Sequence, residues 1–212
     1  MSGVHDLTLF IVSGLLLNMA PGPDSLLIMT YSARQGWRAG STAALGIGSG
    51  TLLHTCAAAL GLSALLATSA TAFTAVKWVG AMYLLYVGVG LLRSQKKKPE
   101  CTGAQQAQSL PYRKIFLKGF LTNSLNPKVA VFFLAFVPQF IAPDAPNKAL
   151  AFVLLGGIFV VNGLLWCNFL SVSTALASNR IKINATLSRW FNRMIGGLFI
   201  SFGIRLALAK QN

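Results

Sequence analysis

The chain has 212 residues, of which 54% are hydrophobic and only 10% charged, against roughly 25% charged residues in a typical soluble domain. At a mean hydropathy of +0.62 a soluble globule would have to expose large contiguous apolar patches, so intrinsic disorder, a collagenous chain and an ordinary cytosolic enzyme are excluded. The net charge of +14, from 18 Lys and Arg against 4 Asp and Glu, does not argue for nucleic acid, because most bases sit in short segments between long apolar runs, as in the cytoplasmic loops of membrane proteins.

A bilayer core about 30 Å thick takes about 20 apolar residues per helix. Six such runs follow one another: Leu7 to Tyr31, Ser41 to Thr68, Ala72 to Leu92, Ile115 to Ile141, Ala149 to Ser173 and Trp190 to Ala209. The expected fold is an all-α integral membrane protein of six transmembrane helices. Residues 1–6 carry no Lys or Arg and hold Asp6, and no small-x-small cleavage site follows residue 17, so the first run reads as a retained helix rather than a signal peptide. In the sixth, Arg193 and Arg205 must snorkel toward opposite interfaces.

Counted with the ends of the flanking spans, the first, third and fifth connections hold 2, 7 and 4 basic residues, thirteen together, whereas the two termini with the second and fourth connections hold four, and Lys128 lies within the fourth span. This asymmetry predicts both termini outside and the basic connections in the cytoplasm. The longest connection, Arg93 to Tyr112, is too poor in apolar residues to pack and reads as a linker. It divides a single membrane domain into halves of about residues 1–92 and 113–212. Its basic cluster reads as a topology signal, with anionic lipid as the other reading. Cys56, Cys101 and Cys167 have neither metal-ligand spacing nor an even count, and are expected to fill packed helices.

The halves resemble each other. Lys77 to Tyr86 and Arg193 to Phe202 share the order base, aliphatic, Gly, small, aliphatic, aromatic. The first and fourth spans also correspond, carrying Gly14-x-x-x-Asn18 and Gly119-x-x-x-Asn123, each followed closely by proline. With three spans per half, the second copy enters the membrane in the opposite direction, which makes the pair an inverted-topology repeat of the kind common in secondary transporters.

The most unusual segment is Asn18-Met-Ala-Pro21-Gly22-Pro23-Asp24. Its prolines and glycine break the helix and free backbone groups, a state tolerated in a membrane where the chain lines a cavity. Asp24 then either caps the second half-helix or binds a substrate ammonium or a proton. The fourth span carries the counterpart, Asn123-Ser-Leu-Asn126-Pro127-Lys128. Lys128 has three readings: a cation for a substrate carboxylate, a partner for Asp24, or a snorkelling lysine. Gly46, Gly50 and His54 share one face of the second span, the glycines for close helix approach and His54 as a proton relay or a hydrogen bond to a neighbouring helix. Tyr83, Tyr86, Asn162 and Asn168 are candidates for the cavity wall, with interhelical hydrogen bonding or interfacial anchoring as the plainer role. No nucleophile elbow, phosphate loop, zinc motif or carboxylate pair is present, so neither an enzyme nor a resident cofactor or metal is expected.

Pro21-Gly22-Pro23-Asp24, Asn126-Pro127-Lys128 with Phe132 and Phe133, Pro138-Gln139-Phe140 and the run Gly80 to Gly88 together make the chain resemble the lysine exporter and homoserine/threonine resistance (LysE/RhtB) family. The resemblance covers nearly the whole chain. It implies a bacterial inner-membrane exporter of amino acids or close derivatives, threonine-, homoserine- or leucine-like, driven by proton antiport, with protons, the bilayer and a second copy in a homodimer as partners. One departure is in the fifth span, where some members of the family carry an acid and this chain has Asn162. The competing classes are a carrier of another small solute or a cation, which would want more intramembrane carboxylates, and a non-transporting membrane enzyme or subunit, which would not need two broken helices.

Overall fold

A computed structural model describes residues 3–63, 109–142 and 144–177, together with separate helical positions between 74 and 92 and between 193 and 204. Tyr83, Cys101 and most of the third span, the linker and the sixth span lie outside the described residues. Every regular element described is helical, joined by one isolated bridge between Val4 and Ile141.

The first span is two helices. α1, Leu7–Met19, and α2, Pro23–Gln35, meet at a bend of 57°, where the prolines predicted it. Proline at the first position of α2 costs no hydrogen bond, because that amide has no intrahelical partner. The span runs on to Gln35, and α3, Trp37–Ala57, begins two residues later, so the expected first loop is a single residue. Gly36 makes this reversal with φ of +80°, and no atom lies within 4 Å of where a Cβ would be. Backbone conformation therefore selects glycine there. Arg34 and Arg38, expected in a loop, lie on the helix ends on either side.

α3 continues through a π-helical turn, Ala58–Leu62. The fourth span is again broken: α4, Tyr112–Ser124, and α5, Pro127–Val131, belong to a pair bent by 48°, and α5 runs on as a π turn, Phe132–Phe136, and a 3₁₀ turn, Val137–Phe140. α6, Lys148–Ala177, is one helix of 30 residues, about 45 Å long. Among the described residues, two continuous helices and two bent pairs, each pair taken as one span, are thus long and apolar enough to cross a membrane, consistent with a helical membrane protein. The described positions of the third span are helical, and its Ala81 is buried against the core.

α3 and α4 touch backbone to backbone. A Cβ on Gly46 would strike Phe116 O, one on Gly119 would strike Ala43 O, and one on Gly50 would come within 2.9 Å of Asn123 and Phe120 O. The glycine face expected for the second span therefore packs on α4. Two apolar clusters flank the helix breaks. One is rich in phenylalanine, with Phe10, Phe132, Phe133, Phe136, Phe140, Phe152 and Phe159. The other is built from Ile28, Tyr31, Ile47, Ile115, Cys167 and alanines of α3.

Each cluster leads to one end of the bundle. At the phenylalanine end the N-terminal segment is strapped to the close of the fourth span: His5 N donates to Phe140 O at 3.1 Å and Ala142 N to Gly3 O at 2.8 Å. At the other end the Gln35 amide, oriented to donate to Leu110 O at 3.1 Å and accept from Leu110 N at 2.9 Å, joins the first connection to the start of the fourth span.

Candidate functional site: two helix breaks that complete each other

Proline lacks the amide that closes a helical turn onto the fourth residue before it. Pro21 thus leaves Leu17 O without its usual donor, and Pro127 does the same to Asn123 O. Donors from the opposite half of the chain fill both places. Lys128 Nζ donates to Leu17 O at 3.3 Å and to Ala20 O at 3.2 Å, which sets a cation on the negative C-terminal end of α1. His54 Nε2 donates to Asn123 O at 3.2 Å, and its ring stacks on Phe133 with centroids 6.2 Å apart.

Asp24 lies in the first turn of α2, where the helix end favours a carboxylate. Its Oδ2 accepts from Asn123 Nδ2 at 2.9 Å and from Asn126 Nδ2 at 3.1 Å. Both asparagines are fixed by further bonds. Asn126 caps α5 through Lys128 N at 3.0 Å, and Asn123 Oδ1 accepts from Thr51 Oγ1 at 3.2 Å. Each break is therefore completed by the other: the acid of the first takes donors from the second, and the lysine of the second caps carbonyls of the first. Asp24 and Lys128 do not form an ion pair; among the described residues the one ion pair joins exposed His5 and Asp6.

A cavity opens between these groups. Asn18, Asp24, Ser25, Thr51, Asn123 and Lys128 give it polar walls, while Ile47, Val129, Phe159, Val160 and Leu164 give apolar ones. Water centres have about 30 Å³ to occupy, room for one or two waters. Two atoms of residues that line it, Asp24 Oδ1 and Asn18 Nδ2, are buried and have no hydrogen-bond partner among the described residues. Leaving a buried polar atom unmade costs about 1–3 kcal/mol. One open acceptor and one open donor on residues of the same small cavity can be satisfied by water, or by a solute that carries both functions.

Of the residues singled out from sequence, Asn18, Asp24, Asn123 and Lys128 line the cavity. Asn126 holds Asp24 from outside it, and Pro21, Gly22, Pro23 and Pro127 shape the breaks, Gly22 lying with its Cβ position 3.3 Å from Lys128 Nζ. Lys128 neither pairs with Asp24 nor reaches for an interface. His54 faces α4 and is not a cavity residue. Asn162 Nδ2 points to Ile11 O at 3.4 Å, so the amide that replaces the acid of some family members faces α1. Asn168 bonds Leu164 O within its own helix at 2.8 Å, and Tyr86 is exposed. Sequence reasoning missed Ser25, Thr51, Phe159 and Gly163. Thr51 was discoverable as a polar residue one place beyond Gly50, whereas nothing in the sequence separates Gly163 from the other membrane glycines.

Comparison with known proteins agrees with this architecture. The family model of the LysE type translocator matches residues 15–210. An uncharacterized membrane protein of Pseudomonas aeruginosa is 32% identical, with 98% of this chain and 97% of that protein aligned. The membrane protein YrhP of Bacillus subtilis is 30% identical over 97% of this chain and its own full length. The leucine efflux protein of Salmonella typhimurium is 28% identical over 99% of this chain and 98% of its own. No solved structure matches. A helical membrane fold, two mutually completed helix breaks and a family match over nearly the whole length agree: the chain belongs to the LysE type translocator family.

Proposed function

We propose that this protein exports an amino acid with an aliphatic or small polar side chain across the bacterial inner membrane, as a secondary transporter working by proton antiport. The observation that carries this reading is one cavity that brings together Asp24, Asn18 and Lys128, with Asp24 Oδ1 and Asn18 Nδ2 buried and without a partner among the described residues. Asp24 accepts the substrate ammonium, and Asn18 with Lys128 receives the carboxylate. Kinship with leucine efflux proteins supports a leucine-like substrate, and the absence of any second acid on the described cavity wall disfavours a dibasic one.

The space now present is too small for an amino acid, so this is a closed conformation. Loading requires one end of the bundle to part, at the phenylalanine cluster or at the cluster around Ile47 and Ile115. The two bent spans correspond as inverted repeats would, which provides the pair of alternative openings that alternating access needs. The excess of bases in the odd-numbered connections supports an orientation with the Gln35–Leu110 end in the cytoplasm and the N-terminal strap outside. Asp24 is deprotonated while it holds the amine and protonated when the empty carrier returns. One charge moving through 100 mV supplies about 2.3 kcal/mol, a gradient of roughly fiftyfold.

The test is uptake into inside-out proteoliposomes under an imposed pH gradient, with leucine and threonine as substrates. Asp24→Asn should abolish pH-driven accumulation while retaining weak exchange of substrate for substrate. Undiminished pH-driven accumulation by Asp24→Asn would remove the coupling role.

A further inference from the structure

Most of the polar lining of the cavity comes from the two breaks, and much of the apolar lining comes from α6. Phe159, Val160, Gly163, Leu164 and Cys167 line it, at the spacing of a single helix face. We propose that this face selects the substrate's side chain and that Gly163 is the position that sets its permitted size. The inference rests on the reading of the Asp24 and Asn18 cavity as the substrate site and adds which part of its lining meets the substrate's side chain.

Three positions on the face differ in freedom. Phe159 is wedged: its ring lies 3.1 Å from where a Cβ on Gly14 would be, it stacks on Phe132 with centroids 4.4 Å apart and it meets Phe133 edge-on at 5.8 Å. Leu164 is also fixed, its Cδ2 lying 3.0 Å from the Cβ position of Gly48 on α3. Gly163 has slack. A Cβ there would lie 3.5 Å from Asn18 Nδ2 and Oδ1 and 3.7 Å from Cγ, which is ordinary van der Waals contact. Alanine therefore fits without moving the amide, whereas a larger side chain must take either the place of Asn18 or the space of the cavity.

Gly163 thus keeps the open Asn18 amide and the aliphatic surface of Val160 and Leu164 continuous. A substrate whose amine is on Asp24 would lay its side chain along that surface, where the wall offers no charge and no hydrogen-bonding side chain other than the Cys167 thiol. An aliphatic chain gains there, and a charged one would be stranded. Because the neighbours are held, volume added at Gly163 comes out of the substrate's share.

The experiment measures uptake of radiolabelled alanine, threonine and leucine into inside-out proteoliposomes holding the full-length protein, for the wild type, Gly163→Ala, Val160→Ala and, as a control on the exposed side of α6, Leu165→Ala. Gly163→Ala should lower the leucine-to-alanine uptake ratio roughly tenfold or more, the scale of one carbon in an apolar pocket. Val160→Ala should raise that ratio, and Leu165→Ala should leave it within twofold. A Gly163→Ala protein that loses all three substrates equally, or keeps the wild-type ratio, overturns the size role. If Gly163→Ala cannot be purified, an unchanged ratio in Val160→Ala overturns the α6 wall by itself. Asp24→Asn separates the two levels: loss of pH-driven uptake there with unchanged ratios at α6 refutes only this inference, while wild-type pH-driven uptake in Asp24→Asn refutes the site beneath it.

Discussion

Lys128→Met tests the bracing of the first break most directly. Methionine nearly matches the length of lysine but has no donor, so Leu17 O and Ala20 O lose their bonds to Nζ. These bonds, at 3.3 and 3.2 Å, are longer than the 2.7–2.9 Å of strong charge-assisted contacts, and interhelical hydrogen bonds in membranes average about 0.6 kcal/mol with a maximum near 1.7. Leu17 O keeps its bond from Ala20 N at 3.2 Å. Two bonds of average to moderate strength sum to about 1–3 kcal/mol. Relief from burying the ammonium is offset because Asp24 then faces the cavity without a nearby cation. For a chain of this size each kcal/mol shifts Tm by about 2–4 °C, so Lys128→Met in mild detergent should melt about 2–12 °C below the wild type. Lys128→Arg, which keeps charge and donors, should recover at least half of the loss. A methionine variant melting within 1 °C of the wild type would refute the bracing.

The remaining predictions concern the other contacts. Asn123→Ala removes one of two donors to Asp24 Oδ2 and the acceptor of Thr51, and should cost about 1–3 kcal/mol, read as a lower detergent melting temperature; an unchanged value would mean that Asn126 alone holds the carboxylate. Gly46→Leu drives a side chain into the Phe116 carbonyl and should abolish the monodisperse peak in size-exclusion chromatography, while Gly157→Ala, with nothing within 4 Å of its Cβ position, should stay within about 0.5 kcal/mol of the wild type. Residues paired across an antiparallel bridge have Cα atoms about 4.5–5.5 Å apart, within disulfide range, so Val4→Cys with Ile141→Cys in a background lacking the native cysteines should cross-link on oxidation. Peptide mapping detects the link, and transport that is arrested by it and restored by reductant would establish that this end must part.

Much of the site was legible because proline, charge and amide are expensive inside a membrane. Pro21, Pro23 and Pro127 located both breaks, and Asp24 and Lys128 stood out as ions where ions are rare. What those ions touch was not legible, since their partners lie about a hundred residues away in sequence and no local rule links Lys128 to Leu17 or Asp24 to Asn123. Polarity alone also failed to say which way a side chain faces: Asn18 opens on the cavity, while Asn162, equally polar, turns to α1. The phenylalanine cluster escaped for another reason. A π turn over Phe132–Phe136 resets the helical register, so a period of 3.6 residues assigns those rings to the wrong faces.

The mutual completion of the breaks also bears on how the chain is made. A nascent first half that enters the bilayer alone holds the Leu17 and Ala20 carbonyls without the Lys128 ammonium, and Asp24 without its two amide donors, because all of these arrive with residues 123–128. Leu17 O keeps its bond from Ala20 N, but an open Ala20 carbonyl and an uncompensated Asp24 are costly in lipid, so the bend of the first span is disfavoured until the fourth span is synthesised. Its bend is then a late event in biogenesis. Separately expressed halves should be degraded singly and rescued together, and damage at either break should be felt as a folding defect in the half that was not touched.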